Sequence, residues 1–143
     1  MKRSLLMLLV PALLGLLLAP GCKKEVANEP SAVAQAFADA MGDGDTKAAS
    51  KLWNYVIYAR EQNGDWDDIP SGQRSGIIGK MQDTKATEIA AWASYFSEGM
   101  IAGPPTTRGS EATVAVTNGP QGEITLDLAE ADGEWGVTRC TPK

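Results

Sequence analysis

The feature that most narrows the folds open to this 143-residue chain is a change of period at Gly103-Pro104-Pro105. Before it, apolar residues return every three or four positions; after it, they alternate with polar ones. The first period lines up one stripe of a helix, and the second lines up one face of a strand. The chain therefore reads as a block of helices followed by a block of strands, which places it in the α+β class. An antiparallel sheet of this kind needs cover on its apolar face, and the helices are what the chain has to supply it.

Pro30 suits a first helical turn, where its missing N–H has no partner to lose, and Val33, Ala36, Phe37, Ala40 and Met41 follow at helical spacing. Gly42-Asp43-Gly44-Asp45 then closes that helix and caps the next. A calcium loop is disfavoured there, because the further oxygen ligands and closing glutamate of an EF-hand are missing. A second helix is expected to carry Ala49, Leu52, Trp53, Val56 and Ile57 on one side and to fade at Asn63-Gly64. Asp65 to Gly72 reads as a loop. Gly76 and Gly79 weaken any helix through Ile77, Ile78 and Met81, so a short strand or an irregular helix is expected. A better helix should begin at Asp83 or Thr84, run through Ala86, Ile89, Ala90, Ala93 and Phe96, and stop at Gly99.

Past the prolines, Ala112, Val114 and Val116 alternate with Glu111, Thr113 and Thr117, and Ile124, Leu126 and Leu128 alternate with Thr125 and Asp127. Asp132-Gly133 signals a tight turn into a last strand, Glu134 to Cys140, with Trp135 and Val137 on one face. The expectation is an antiparallel meander.

The other end of the chain carries information about location. Lys2 and Arg3 precede an apolar run from Leu5 to Ala19, which Pro11 and Gly15 interrupt. That run is shorter than the ~20 apolar residues of a spanning helix, so it reads as a cleaved secretory signal. Leu18-Ala19-Pro20-Gly21-Cys22 resembles a bacterial lipobox, with Ala19 where leucine is usual. The resemblance implies cleavage between Gly21 and Cys22, a diacylglycerol on the Cys22 sulfur and an acylated new amino terminus. It gives residues 1–21 as signal peptide, 22–29 as a polar tether and 30–143 as the domain. The expected location is the bacterial cell envelope, anchored in the inner or the outer membrane, with the domain facing the periplasm or the cell exterior. Membrane lipid is then the first partner, held through Cys22. The alternative is a secreted protein in which Cys22 pairs with Cys140, the second of two cysteines. With Cys22 acylated, Cys140 would have no intrachain partner, and its thiol would be buried, modified or paired between chains.

Charge and composition exclude several functions. Loss of residues 1–21 removes Lys2 and Arg3 and no acid, leaving 11 basic against 18 acidic residues, a net charge of −7. A chain so acidic, with no basic stripe, is a poor ligand for nucleic acid. It has no histidine. That removes the commonest general base, the Ser-His and Cys-His nucleophile pairs and most zinc or copper sites. We expect no cofactor, no metal and no catalytic residue set.

The signal, a helix ending in Gly42-Asp43, the run Ala112-Thr113-Val114-Ala115-Val116 and the ending Asp132-Gly133-Glu134-Trp135-Gly136-Val137 together resemble the small NTF2-like (DUF4878-type) lipoproteins. The resemblance implies a curved antiparallel sheet wrapped around helices into a cone, often with a pocket. It also implies a tendency to dimerise through the sheet. Trp53, Ile57, Trp92 and Phe96 are the side chains expected near such a cavity, against the plainer expectation that large apolar groups at helical spacing form core. Three functions follow: a binding or accessory module for a small apolar ligand or an envelope protein, a homodimeric scaffold, and an enzyme. The enzyme would use Asp67 or Asp68 as base with Tyr55, Tyr58 or Tyr95 as oxyanion donor. The first of the three suits the composition best.

Overall fold

The computed structural model describes residues 25–143. Gly21, Cys22 and the signal segment lie outside the described residues. The described chain is an α+β domain with helices α1 (Pro30–Gly42), α2 (Thr46–Ser50), α3 (Tyr55–Gln62) and α4 (Ser71–Ile89). Strands β1 (Ile101–Ala102), β2 (Thr106–Arg108), β3 (Glu111–Gly119), β4 (Gly122–Ala131) and β5 (Glu134–Pro142) follow. All strand pairs are antiparallel, in the order β1-β3-β4-β5, with β2 also paired to β3.

The meander forms where the alternation placed it. Ala112, Val114, Val116, Ile124, Leu126, Leu128, Val137 and Cys140 are buried on one face, and Val33, Ala34, Phe37, Ala38 and Met41 of α1 are buried with them. Burying each large side chain contributes roughly 2 kcal/mol, so this layer supplies most of the folding drive. The inward stripe of α1 contains Ala34 and Ala38 rather than the expected Ala36 and Ala40, which are half-buried. With alanine on both sides of Phe37, spacing alone does not fix which pair turns inward.

The β4–β5 turn holds Asp132 at φ 53° and Gly133 at φ 82°, the left-handed pair that a two-residue hairpin requires. Further along that hairpin Asp127 faces Arg139 but Leu128 faces Val137, leaving Thr138 as the extra residue of a bulge. The bulge resets the parity of β5, so Val137 and Cys140 share the core face although three positions apart.

β1 and β2 are two pieces of one edge strand, interrupted by Gly103-Pro104-Pro105. Proline has no N–H to give a ladder, and the two prolines stand where such an edge is tolerant of them. Gln35 stitches the first piece to α1, donating from Nε2 to the Met100 carbonyl at 2.9 Å and accepting the Ala102 N–H at Oε1 at 2.8 Å.

Two expectations for the helical half are corrected. First, the second helix is not continuous: α2 ends at Ser50, and Leu52-Trp53-Asn54 run beside β5 before α3 begins. The Val137 N–H donates to the Leu52 carbonyl, and the Asn54 N–H donates to the Val137 carbonyl, each at 2.8 Å. Gly136 permits this approach, since a Cβ there would lie 2.9 Å from the Asn54 Cα. Tertiary pairing thus overrides local helix propensity, and α3 buries Tyr55 and Ala59 while Val56 and Ile57 stay half-buried. The Asp45 cap was legible in advance, its Oδ1 accepting the Ala48 N–H at 2.9 Å.

Second, residues 71–89 form one helix of 19 residues through Gly76 and Gly79. Its C-terminal end is fixed by buried Lys85, Ala86 and Ile89, so packing compensates for weak propensity. Beyond it a 3-10 turn covers Ala90–Tyr95, where Ala90 and Ala93 are exposed rather than part of the buried stripe. The loop before α4 is anchored as well: Trp66 is 1% exposed, with the Arg74 guanidinium 5.7 Å from its ring centre. Arg74 also donates to the carbonyls of Asp67 at 2.6 Å and Ile69 at 2.7 Å.

Ordered contact with the sheet begins before Pro30. Asn28 donates from Nδ2 to the Gly133 carbonyl at 2.7 Å and accepts the Trp135 N–H at Oδ1 at 2.9 Å. The segment expected to be free tether is therefore fastened to the β4–β5 hairpin two residues ahead of the domain boundary read from sequence.

Candidate functional site

Two clefts flank the Leu52-Trp53-Asn54 crossing. One, enclosing about 440 Å³, lies at the tether end, between Glu25–Asn28, the Lys51–Val56 segment, Ile78 and Gln82 of α4, and Glu134–Gly136 of β5. The other, about 460 Å³, lies between Ile57, Tyr58 and Glu61 of α3 and the strand residues Thr113, Asp127 and Arg139. The two differ in chemistry. The tether-end cleft collects Val26, Leu52, Val56, Ile78 and Trp135, and none of these is fully buried. The second is mostly polar: Thr113 donates to the Asp127 carboxylate at 3.1 Å, and Arg139 stands 3.9 Å from it. Thr113, Asp127 and Arg139 occupy one row across β3, β4 and β5, on the face opposite the core, where Thr117, Thr125 and Thr141 also lie. That face presents mainly hydroxyls and charges, with Ile101, opposite Thr117, as an exposed apolar side chain at its β1 margin.

The four side chains expected near a cavity separate into a group of three and an outlier. Trp53 stacks on Trp92 with ring centres 6.1 Å apart and a tilt of 25°, and Phe37 stands 6.3 Å from Trp53 and 5.9 Å from Phe96. Trp53, Phe37 and Phe96 are buried and Trp92 is half-buried, so this chain of rings is part of the packed interior. Aromatic pairs at such distances add about 1 kcal/mol each beyond their buried area. Ile57 lines the polar cleft, and Trp53 reaches the walls of both clefts.

A buried lysine at this junction was not singled out from sequence. Lys85 is 7% exposed, with its Nζ 4.7 Å from the Trp53 ring centre, 4.4 Å from that of Tyr58 and 2.5 Å from Glu88 Oε2. Each ring face attracts the cation, and the carboxylate takes one of its three N–H groups. The signal was present: Lys85 lies four residues before Ile89 and three before Glu88, on the buried stripe and in pairing distance of an acid. Lysine on a helix is read as solvated by default, which hid it.

Of the residues considered for catalysis, Asp67 and Tyr55 are engaged in local structure. Arg60 grips Asp67 with Nη2 3.0 Å from Oδ1, and that hydrogen bond holds the Asp67 carboxyl below its ordinary range. Such a group is a weak base. The Tyr55 hydroxyl donates to the Ser50 carbonyl at 2.7 Å, and burial pushes its ionisation up, so it is already spent on local structure. Asp67 is exposed while its neighbour Trp66 is buried, so the loop is only half a solvated surface. Cys140 is 8% exposed on the core face, and burial pushes its thiol up to about 12.

Among the described residues no three acidic or cysteine side chains stand close enough to hold a metal ion. Among the same residues no helix is long and apolar enough to cross a membrane. Comparison with protein-family models, curated proteins and solved structures returned no match.

Proposed function

We propose that this chain is an acylated envelope lipoprotein whose α+β domain, of NTF2-like type, is a non-catalytic binding or accessory module held close to the membrane. The observation that carries this reading is the clamp of Asn28 on Gly133 and Trp135. It leaves six residues from Cys22 to the fixed point, about 20 Å when extended, so an anchored domain stays within that distance of the bilayer with its β4–β5 turn beside the tether. Burial of Cys140 on the core face also favours a lipid rather than a disulfide on Cys22, because a partner for Cys140 would have to enter the packed interior. A cone-like arrangement is supported by the element order, helices first and meander second, with α1 laid on the apolar face of the sheet. Engagement of Asp67 by Arg60 and of Tyr55 by Ser50 favours binding over catalysis.

Intact-mass analysis of the protein extracted from its native membrane, with the co-purifying small molecules identified in the same run, tests the proposal. The expected result is a chain beginning at an acylated Cys22 with an unmodified Cys140 thiol. A soluble mature chain with a Cys22–Cys140 disulfide would sink the proposal.

A further inference from the structure

The tether-end cleft stands where the described chain begins, with Glu25 in its wall. Val26, Leu52, Val56, Ile78 and Trp135 line it, and each leaves apolar surface accessible; Val26 is 40% exposed. Polar side chains, among them Glu25, Lys51, Gln82 and Glu134, share the wall in nearly equal measure, so the cleft is amphipathic, and its apolar part marks a contact that the folded domain alone does not complete. Its volume, about 440 Å³, falls in the ~300–1,000 Å³ range of small-molecule sites. Glu25 forms part of the wall, and Cys22 precedes it by three residues, a reach of at most about 10 Å.

We infer that one acyl chain of the anchor on Cys22 folds back into this cleft, so that the domain carries part of its own lipid. The inference rests on the acylated-lipoprotein reading above. Attachment a few residues away makes entry an intramolecular event at millimolar effective concentration, which favours the chain's own lipid over a freely diffusing one. An anchor with three acyl chains, two on the glycerol and one on the amino terminus, keeps two in the bilayer when one is withdrawn. Two chains suffice for stable attachment where one is marginal. The occupied cleft then couples the position of the domain to the membrane: drawing the acyl chain inward brings the β4–β5 turn towards the head groups, and releasing it frees the domain to the full length of the tether.

The test uses the full chain made in cells fed a diazirine-bearing fatty acid, purified and reconstituted into phosphatidylcholine vesicles. Intact mass is read first, and absence of acyl groups at Cys22 overturns the parent reading on its own. With the anchor labelled, irradiation is expected to give intrachain cross-links to the peptides bearing Leu52, Ile78 and Trp135, and Ile78→Arg is expected to abolish them. Ile78 is half-buried, so the variant should fold, and the wild-type cross-links decide the matter if it does not. Cross-links confined to vesicle lipid overturn the inference. So does the reverse arm, in which unlabelled protein in vesicles of diazirine-bearing phosphatidylcholine is labelled at the cleft more strongly than by its own anchor.

Discussion

Asn54 joins α3 to β4 through its side chain and meets β5 through its main chain, and its replacement has a magnitude that can be worked out. Its Oδ1 accepts the Ile57 N–H at 3.1 Å and so caps α3, while its Nδ2 donates to the Ala129 carbonyl on β4 at 2.8 Å. Its main-chain N–H to Val137 survives any substitution but proline. Loss of an N-cap costs about 1 kcal/mol. Loss of a buried hydrogen bond to a carbonyl that keeps its ladder partner costs about 1 kcal/mol more. Asn54→Ala should therefore destabilise the domain by about 2 kcal/mol, or roughly 8 °C in Tm at this size. Asn54→Ser keeps a capping oxygen but cannot reach Ala129, so it should lose about half as much. Urea unfolding followed by tryptophan fluorescence gives both values on one scale. The reasoning is refuted if Asn54→Ala unfolds at the wild-type midpoint, or if serine costs as much as alanine.

Gly76 is exposed inside α4 with open space where a Cβ would go, so Gly76→Ala should stabilise by up to about 1 kcal/mol, read as a higher urea midpoint at unchanged slope. Lys85 offers a contrast of two variants: Lys85→Met keeps the stem against Trp53 and Tyr58 and should change stability by less than about 1 kcal/mol, whereas Lys85→Ala forfeits packing and cation together and should cost about 2–3 kcal/mol. Calorimetric Tm values for the pair separate the two contributions. The Cys140 thiol ionises near 9 when free and is pushed up to about 12 in the fold, so the unfolded chain loses its proton first. That contribution is fully present below pH 9 and declines as pH rises towards 12; Cys140→Ala should flatten the decline in denaturation midpoint over that window.

What the sequence revealed, and what it hid, follows from where the physics is local. Strands β3, β4 and β5 and the Asp132-Gly133 turn were legible because alternation and left-handed turn residues act over a few positions. The start of α1 at Pro30 and the Asp45 cap were legible for the same reason. The break between α2 and α3 was not, because its cause is a pair of hydrogen bonds to Val137, more than eighty residues away in the chain. Nothing near Trp53 announces that the helix must stop. α4 was hidden in the opposite way: Gly76 and Gly79 argue against a helix locally, and the burial of Ala86 and Ile89 outweighs them. At the candidate site, Trp53, Trp92 and Phe96 were recognisable as large apolar side chains. That Trp53 stacks on Trp92, that Phe37 links Trp53 to Phe96, and that Lys85 sits beside Trp53 depend on tertiary placement that no periodicity encodes.

The treatment of the sheet margins bears on how many copies can crowd together without harm. On one margin Pro104 and Pro105 split the outermost strand into pieces of two and three residues. On the other, Asn28 and the Leu52-Trp53-Asn54 segment occupy the main-chain groups of Gly133, Trp135 and Val137. Neither side offers an incoming chain a long row of vacant donors and acceptors on which to add a strand, the step that seeds fibrous growth. With its margins occupied in this way, the domain can be concentrated without strand addition joining one copy to the next.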